Sequence, residues 1–187
     1  MLTAVLKNKS TAVKITVKGA ISVLMIVLAV ALPQIAHIAG GAAAGAVYLP
    51  MYAPALIAGC ILGWQWGLGV GALSPLASFA FTSLLLDSAM PAAARLPYMV
   101  VELAAFGLVS GLFCKKIAKN ALFAFPAVIA AQVAGRLIYF VSAVIFGQSA
   151  AAVWGVIESG LTGLYIQASI VPVIVLLLSL AVKNDRD

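Results

Sequence analysis

Apolar runs long enough to cross a lipid bilayer follow one another along this chain, and one of them, LPYMVVELAAFGLVSGLF from Leu96 to Phe113, carries a carboxylate, Glu102. A bilayer core offers no water to free N–H and C=O groups, so such runs fold as helices that satisfy their own backbone. Composition agrees: 65% of the 187 residues are hydrophobic and 9% charged, with a mean hydropathy of +1.18, against about 45–50% apolar in a soluble domain. Only short polar stretches separate the runs. They leave no length for a soluble catalytic or nucleic-acid-binding domain, and residues 1–187 read as a single all-α integral membrane domain.

The net charge of +6 is best read as a topological signal, because the cations are clustered. Lys7, Lys9, Lys14 and Lys18 precede or enter the first run, Lys115, Lys116 and Lys119 share one connection, and Lys183 and Arg186 close the chain. Cytoplasmic loops carry the excess of Lys and Arg, which places all three segments inside and demands an even number of spans. Cys60 and Cys114 fall near cytoplasmic helix ends with no metal-binding spacing, so both read as structural thiols. The basic start, the apolar Gly19 to Leu32 and Ala29-Val30-Ala31 imitate a secretory signal with a cleavage site. The first run is nevertheless taken as an uncleaved span.

Six spans fit these clusters, at about 12–32, 48–62, 67–86, 96–113, 122–146 and 153–182, with both termini cytoplasmic. Pro33 is expected to end the first, since proline disfavours helical geometry in the residue before it. The glycine-rich Pro33 to Val47 then forms an uncharged loop. The second span is short: fifteen residues reach about 22 Å against a hydrocarbon core of roughly 30 Å. The loop before it should therefore dip into the outer leaflet, where irregular backbone is tolerated only if protein buries it or it lines a cavity. A loop of this composition is expected to act as a gate. GWQWG makes a tight inner connection, DSAMPAAAR an outer loop holding Asp87 and Arg95, and the last span begins as an outer amphipathic turn or tilts.

Small residues mark where helices touch. Gly63, Gly67 and Gly71 recur every fourth position, Ser74 and Ser78 continue nearby, and Gly107 and Gly111 do the same in the fourth span. Such spacing lets backbones approach closely, which matters where lipid supplies no hydrophobic drive for association. Ala12, Thr16 and Ala20 place a similar stripe on the first span, where a partner protein can dock.

Four ionisable residues lie in or beside the outer half: Arg95, Glu102, Arg136 and Glu158. A charge at the bilayer centre costs about 2.5–3.5 kcal/mol, so each should face a cavity or a partner. Counted from the outer helix ends, the two glutamates lie roughly 8 Å deep and Arg136 about 15 Å, which brings the three to one layer. Gln132, Arg136 and Tyr139 share a face at i, i+4 and i+7, while Tyr98 lies one turn before Glu102 and Trp154 one turn before Glu158. These residues suit a pocket with aromatic walls and a few convergent polar groups. The alternative is a structural ion pair between Arg136 and a glutamate. His37, in the glycine-rich loop, is either a solvated loop residue or a ligand contact. No nucleophilic triad, carboxylate cluster, Cys-His cluster or phosphate-binding loop with a lysine can be assembled, so neither enzyme chemistry, a cofactor nor a metal is expected.

Residues 49 to 113 carry a recognisable pattern. LPMYAPALIAGCILG, GLGVGALSPLASFAF and LPYMVVELAAFGLVSGLF resemble the substrate-binding S component of energy-coupling factor (ECF) vitamin transporters. The resemblance is specific over about 65 residues, and elsewhere rests on hydropathy and topology. It implies six helices, an outward pocket closed by the loop between the first two, and capture of a B-type vitamin or related micronutrient. It further implies a membrane coupling subunit and two cytoplasmic ATPases that drive transport in a prokaryotic plasma membrane. The departure is in the first helix, where members of that family carry alanines four apart and this chain has Ala12, Thr16 and Ala20. Two other classes remain open: a small secondary carrier working alone, distinguished by ATP-independent uptake, and a membrane enzyme acting on lipid head groups with Glu102 and Glu158 as acid and base.

Overall fold

The computed structural model describes residues 10–41, 45, 47–85 and 90–184, and within them the chain is helical with no strand. Five helical segments are long and apolar enough to cross a membrane, as in a multi-pass membrane protein: Thr11–Gly40, Trp64–Leu85, Ala93–Leu112, Ala121–Ile145 and Leu161–Ala181. Lys7, Lys9, Ala43, Asp87 and Arg186 lie outside the described residues.

Helix α1 (Thr11–Gly40) starts at Ser10, whose hydroxyl accepts the Val13 N–H. It does not stop at Pro33. The helix continues for seven more residues, so the expected boundary at Leu32 and the irregular backbone expected from Pro33 onward are both corrected. A proline inside a helix loses one hydrogen bond, whereas ending the helix there would strand several carbonyls, a larger cost in a medium without water. Ala29, the residue whose carbonyl the ring crowds, is fully buried along with Pro33. Gly41 ends the helix at φ 73°, its N–H donating to the His37 carbonyl at 2.9 Å.

The second helix, α2 (Tyr52–Leu62), has only eleven residues, and all but Ala53 are buried. It is apolar on every side because protein surrounds it on every side, packed by α1, α3 (Trp64–Leu85) and α4 (Leu96–Leu112). Lys18 donates to the carbonyl of Leu62 at 3.2 Å, placing a cation at the negative end of α2. The inner connection is tighter than GWQWG suggests: Gly63 alone, at φ 100°, turns the chain into α3.

Helices α2, α3 and α4 meet at their glycines. A Cβ on Gly107 would fall on the backbone of Gly67, one on Gly71 on the carbonyl of Leu103, and one on Gly59 on the Ser110 hydroxyl. The short α5 (Cys114–Lys119) presents Lys115, Lys116 and Lys119 to the surface. Helix α6 (Ala124–Ile145) returns along α4. The expected last span is two helices, α7 (Ala150–Ser159) and α8 (Leu161–Asn184), divided at Gly160. Glycine weakens a helix by about 1 kcal/mol relative to alanine, and close neighbours require it here. A Cβ on Gly160 would lie 2.8 Å from Arg136 Nη2 and 2.9 Å from Leu49 Cδ1, and one on Gly163 would press on the backbone of Val47 and Tyr48.

Candidate functional site

The buried polar centre is built from three helices at the end of the bundle opposite α5. From α4 comes Glu102, fully buried. From α6 comes Arg136, whose Nη1 lies 3.0 Å from Glu102 Oε1. This pair is held by charge and proximity, since Oε1 has no aligned hydrogen bond. From the start of α2 comes Tyr52, whose hydroxyl donates to Glu102 Oε2 at 2.7 Å. The guanidinium carbon sits 5.5 Å from the centre of the Tyr52 ring and 5.7 Å from that of Tyr139, within cation–π range of both. Tyr98 meets Tyr139 edge-on at 5.4 Å. Gln132, Arg136 and Tyr139 share the buried face of α6 as their spacing predicts.

Beside this centre lies a cavity of about 390 Å³, within the range of small-molecule sites. Its walls come from the last turns of α1 (Pro33, His37), the segment before α2, the connection before α4 and the face of α6 with Arg136 and Tyr139. Two of these walls are tied down. Ser78 donates to the Met90 carbonyl at 2.9 Å, and the Met90 N–H donates to Thr82 Oγ1 at 2.8 Å. Gln167 of α8 donates to the carbonyls of Tyr48 and Leu49 at 3.2 and 2.8 Å. Leu49 has φ 49°, left-handed backbone that costs a non-glycine residue roughly 1–2 kcal/mol.

The expected residues divide accordingly. Tyr98, Glu102, Arg136 and Tyr139 come together, whereas Gln132 donates to the Leu164 carbonyl at 3.0 Å and lines a lateral groove between α6, α7 and α8 instead of the cavity. Glu102 sits behind the cavity wall and holds Arg136, which does line it. Arg95 is exposed at the cavity rim. His37 lines the cavity from α1 and not from a loop.

Glu158 and Trp154 do not join the cluster: Glu158 is exposed, and Trp154 is 62% exposed beside a lateral groove between α6, α7 and α8. The buried face of α7 is Val153, Ile157 and Gly160. One residue further along, about 100° round the helix, a side chain already points away from it. On α1, Ala12, Thr16 and Ala20 are all exposed, and the Thr16 hydroxyl is satisfied by the Ala12 carbonyl at 3.0 Å.

Tyr52, Ser78 and Thr82 were not singled out by the sequence as site residues. A tyrosine at the outer end of the short second run, in the same layer as Glu102, was the available signal. No protein-family model, curated protein or solved structure matches the chain.

Proposed function

We propose that this chain is the substrate-capturing S component of an ECF-type importer, taking a B-type vitamin or related micronutrient from the outer face of a prokaryotic plasma membrane. In this reading α2 is the short second of six spans, α7 and α8 together form the last, and both termini are cytoplasmic. Lys18, Lys115, Lys116 and Lys119 then lie at the inner end and the cavity opens at the outer one, in keeping with the positive-inside rule.

The observation that carries the reading is the cavity itself: about 390 Å³, inside a bundle of membrane-length helices, backed by a buried Tyr52–Glu102–Arg136 network. A concave, mostly apolar pocket of this size with a few convergent polar groups is how small-molecule sites are built. Energy comes from outside the chain, from a membrane coupling subunit and two cytoplasmic ATPases, with the exposed Ala12, Thr16 and Ala20 stripe as the docking face on α1.

Native mass spectrometry of gently solubilised protein tests the capture step. One small, non-lipid molecule per chain is the expected result. Protein that carries only lipid, and is not stabilised by any vitamin or precursor added back, would contradict it.

A further inference from the structure

The chemistry of the cavity wall narrows what it can hold. Among the described residues, the side chains lining it that bear charge or strong donors are Arg95, Arg136, His37, Ser78, Tyr52 and Tyr139, and no carboxylate is among them. Glu102, behind the wall, is already committed: Oε2 accepts from Tyr52 and Oε1 faces Arg136 Nη1. Arg136 is less fully used. Its side chain is nine-tenths buried, and Nε and Nη2 have no hydrogen-bond partner among the described residues. These two nitrogens form one edge of the planar guanidinium, an edge that can donate to two oxygens of a carboxylate or phosphate side by side. His37 Nδ1 is likewise buried without a partner. The rest of the wall is apolar, with Pro33, Pro50, Met51, Met90, Met99 and Val156.

We infer that the cavity takes a compact amphipathic anion, an apolar body bearing one carboxylate or phosphate that pairs with the Arg136 guanidinium, with Arg95 drawing the charge in at the rim. The inference rests on the capture reading proposed above and adds the ligand class. Among the described residues, a cationic ligand would meet two arginines and no available carboxylate. A neutral one could offer Arg136 only uncharged acceptors, and hydrogen bonds between ionised partners are roughly twice as strong as neutral ones.

Matched pairs of probes, differing in a single charged group, test the ligand class directly. Pantothenate is compared with pantothenol, biotin with biotinamide, and pyridoxal 5′-phosphate with pyridoxal, each titrated against the intact protein in nanodiscs, with thiamine as the cation. The expected result is that whichever pair binds does so at least tenfold more tightly through its charged member. Whether that member carries a carboxylate or a phosphate separates the two sources of charge. Arg136→Gln is expected to abolish the discrimination, and Arg95→Gln to weaken binding of the charged member while sparing the neutral one. Equal binding within a pair, or binding of thiamine alone, overturns the anion inference and leaves capture intact. A tenfold preference that survives in a folded Arg136→Gln protein overturns the assignment to Arg136. Stabilisation by none of the probes, together with no small molecule recovered from the purified protein, defeats the capture reading and this inference with it.

Discussion

Glu102 meets a donor on one helix and a counter-charge on another, and breaking each contact has a distinct expected outcome. Tyr52→Phe leaves Oε2 buried without its 2.7 Å hydrogen bond, a loss of about 1–3 kcal/mol that a lower melting temperature in detergent would register. Glu102→Ala strips Arg136 of its 3.0 Å counter-charge. Breaking a buried pair costs about 3–5 kcal/mol. Glu102→Gln is milder, because an amide oxygen still accepts from Tyr52. It is expected to weaken ligand binding indirectly, by loosening Arg136, and a melting curve measured beside the affinity shows both effects. An affinity that is unchanged while stability falls would leave the pair a purely structural one. The helical spacing of Tyr98 and Glu102, and of Gln132, Arg136 and Tyr139, made this centre legible in the sequence. Tyr52 was not, because its bond to Glu102 spans fifty residues and exists only because α2 is buried in the bundle.

At the scale of the helices, glycine placement separates packing from mere flexibility. Gly107 and Gly69 are both helical, yet a Cβ on Gly107 meets the Gly67 backbone while one on Gly69 meets nothing within 4 Å. Gly107→Ala is expected to destabilise by about 1–3 kcal/mol through overpacking. Gly69→Ala should be neutral or gain up to about 1 kcal/mol in helix propensity. Comparable losses from both would mean that α3 and α4 do not meet as described. The four-residue glycine spacing makes this contact legible in the sequence, since backbone approach depends on which face is small.

One element boundary and one helix rotation were not legible. Pro33 reads as a stop by local sterics, but the cost of stranding carbonyls away from water outweighs one lost hydrogen bond. In α7, AAAVWGVIES, the amphipathic turn was legible but not its rotation, which puts Val153 and Ile157 inward and Trp154 and Glu158 outward. Gln167, which bridges 118 residues to Leu49, fixes a segment whose φ of 49° costs energy to hold. Gln167→Leu is expected to loosen that wall and raise the ligand dissociation rate, read by a filter-binding chase.

For the whole molecule, the proposed importer reading rests its docking face on the exposed stripe of α1. Replacing Thr16 and Ala20 together by Leu is expected to leave ligand affinity unchanged and to abolish accumulation in cells that supply the coupling subunit and its ATPases. Uptake that persists would move the docking face elsewhere. Whether the chain is a capturing subunit or a complete carrier is decided by sealed liposomes containing it alone, offered the small molecule recovered with the purified protein. The expected result is saturable binding of about one molecule per chain with no accumulation against a gradient, and uptake only when the coupling subunit, the ATPases and ATP are added. Concentrative uptake by the chain alone, without ATP, would contradict the partner-driven mechanism and make it a secondary carrier.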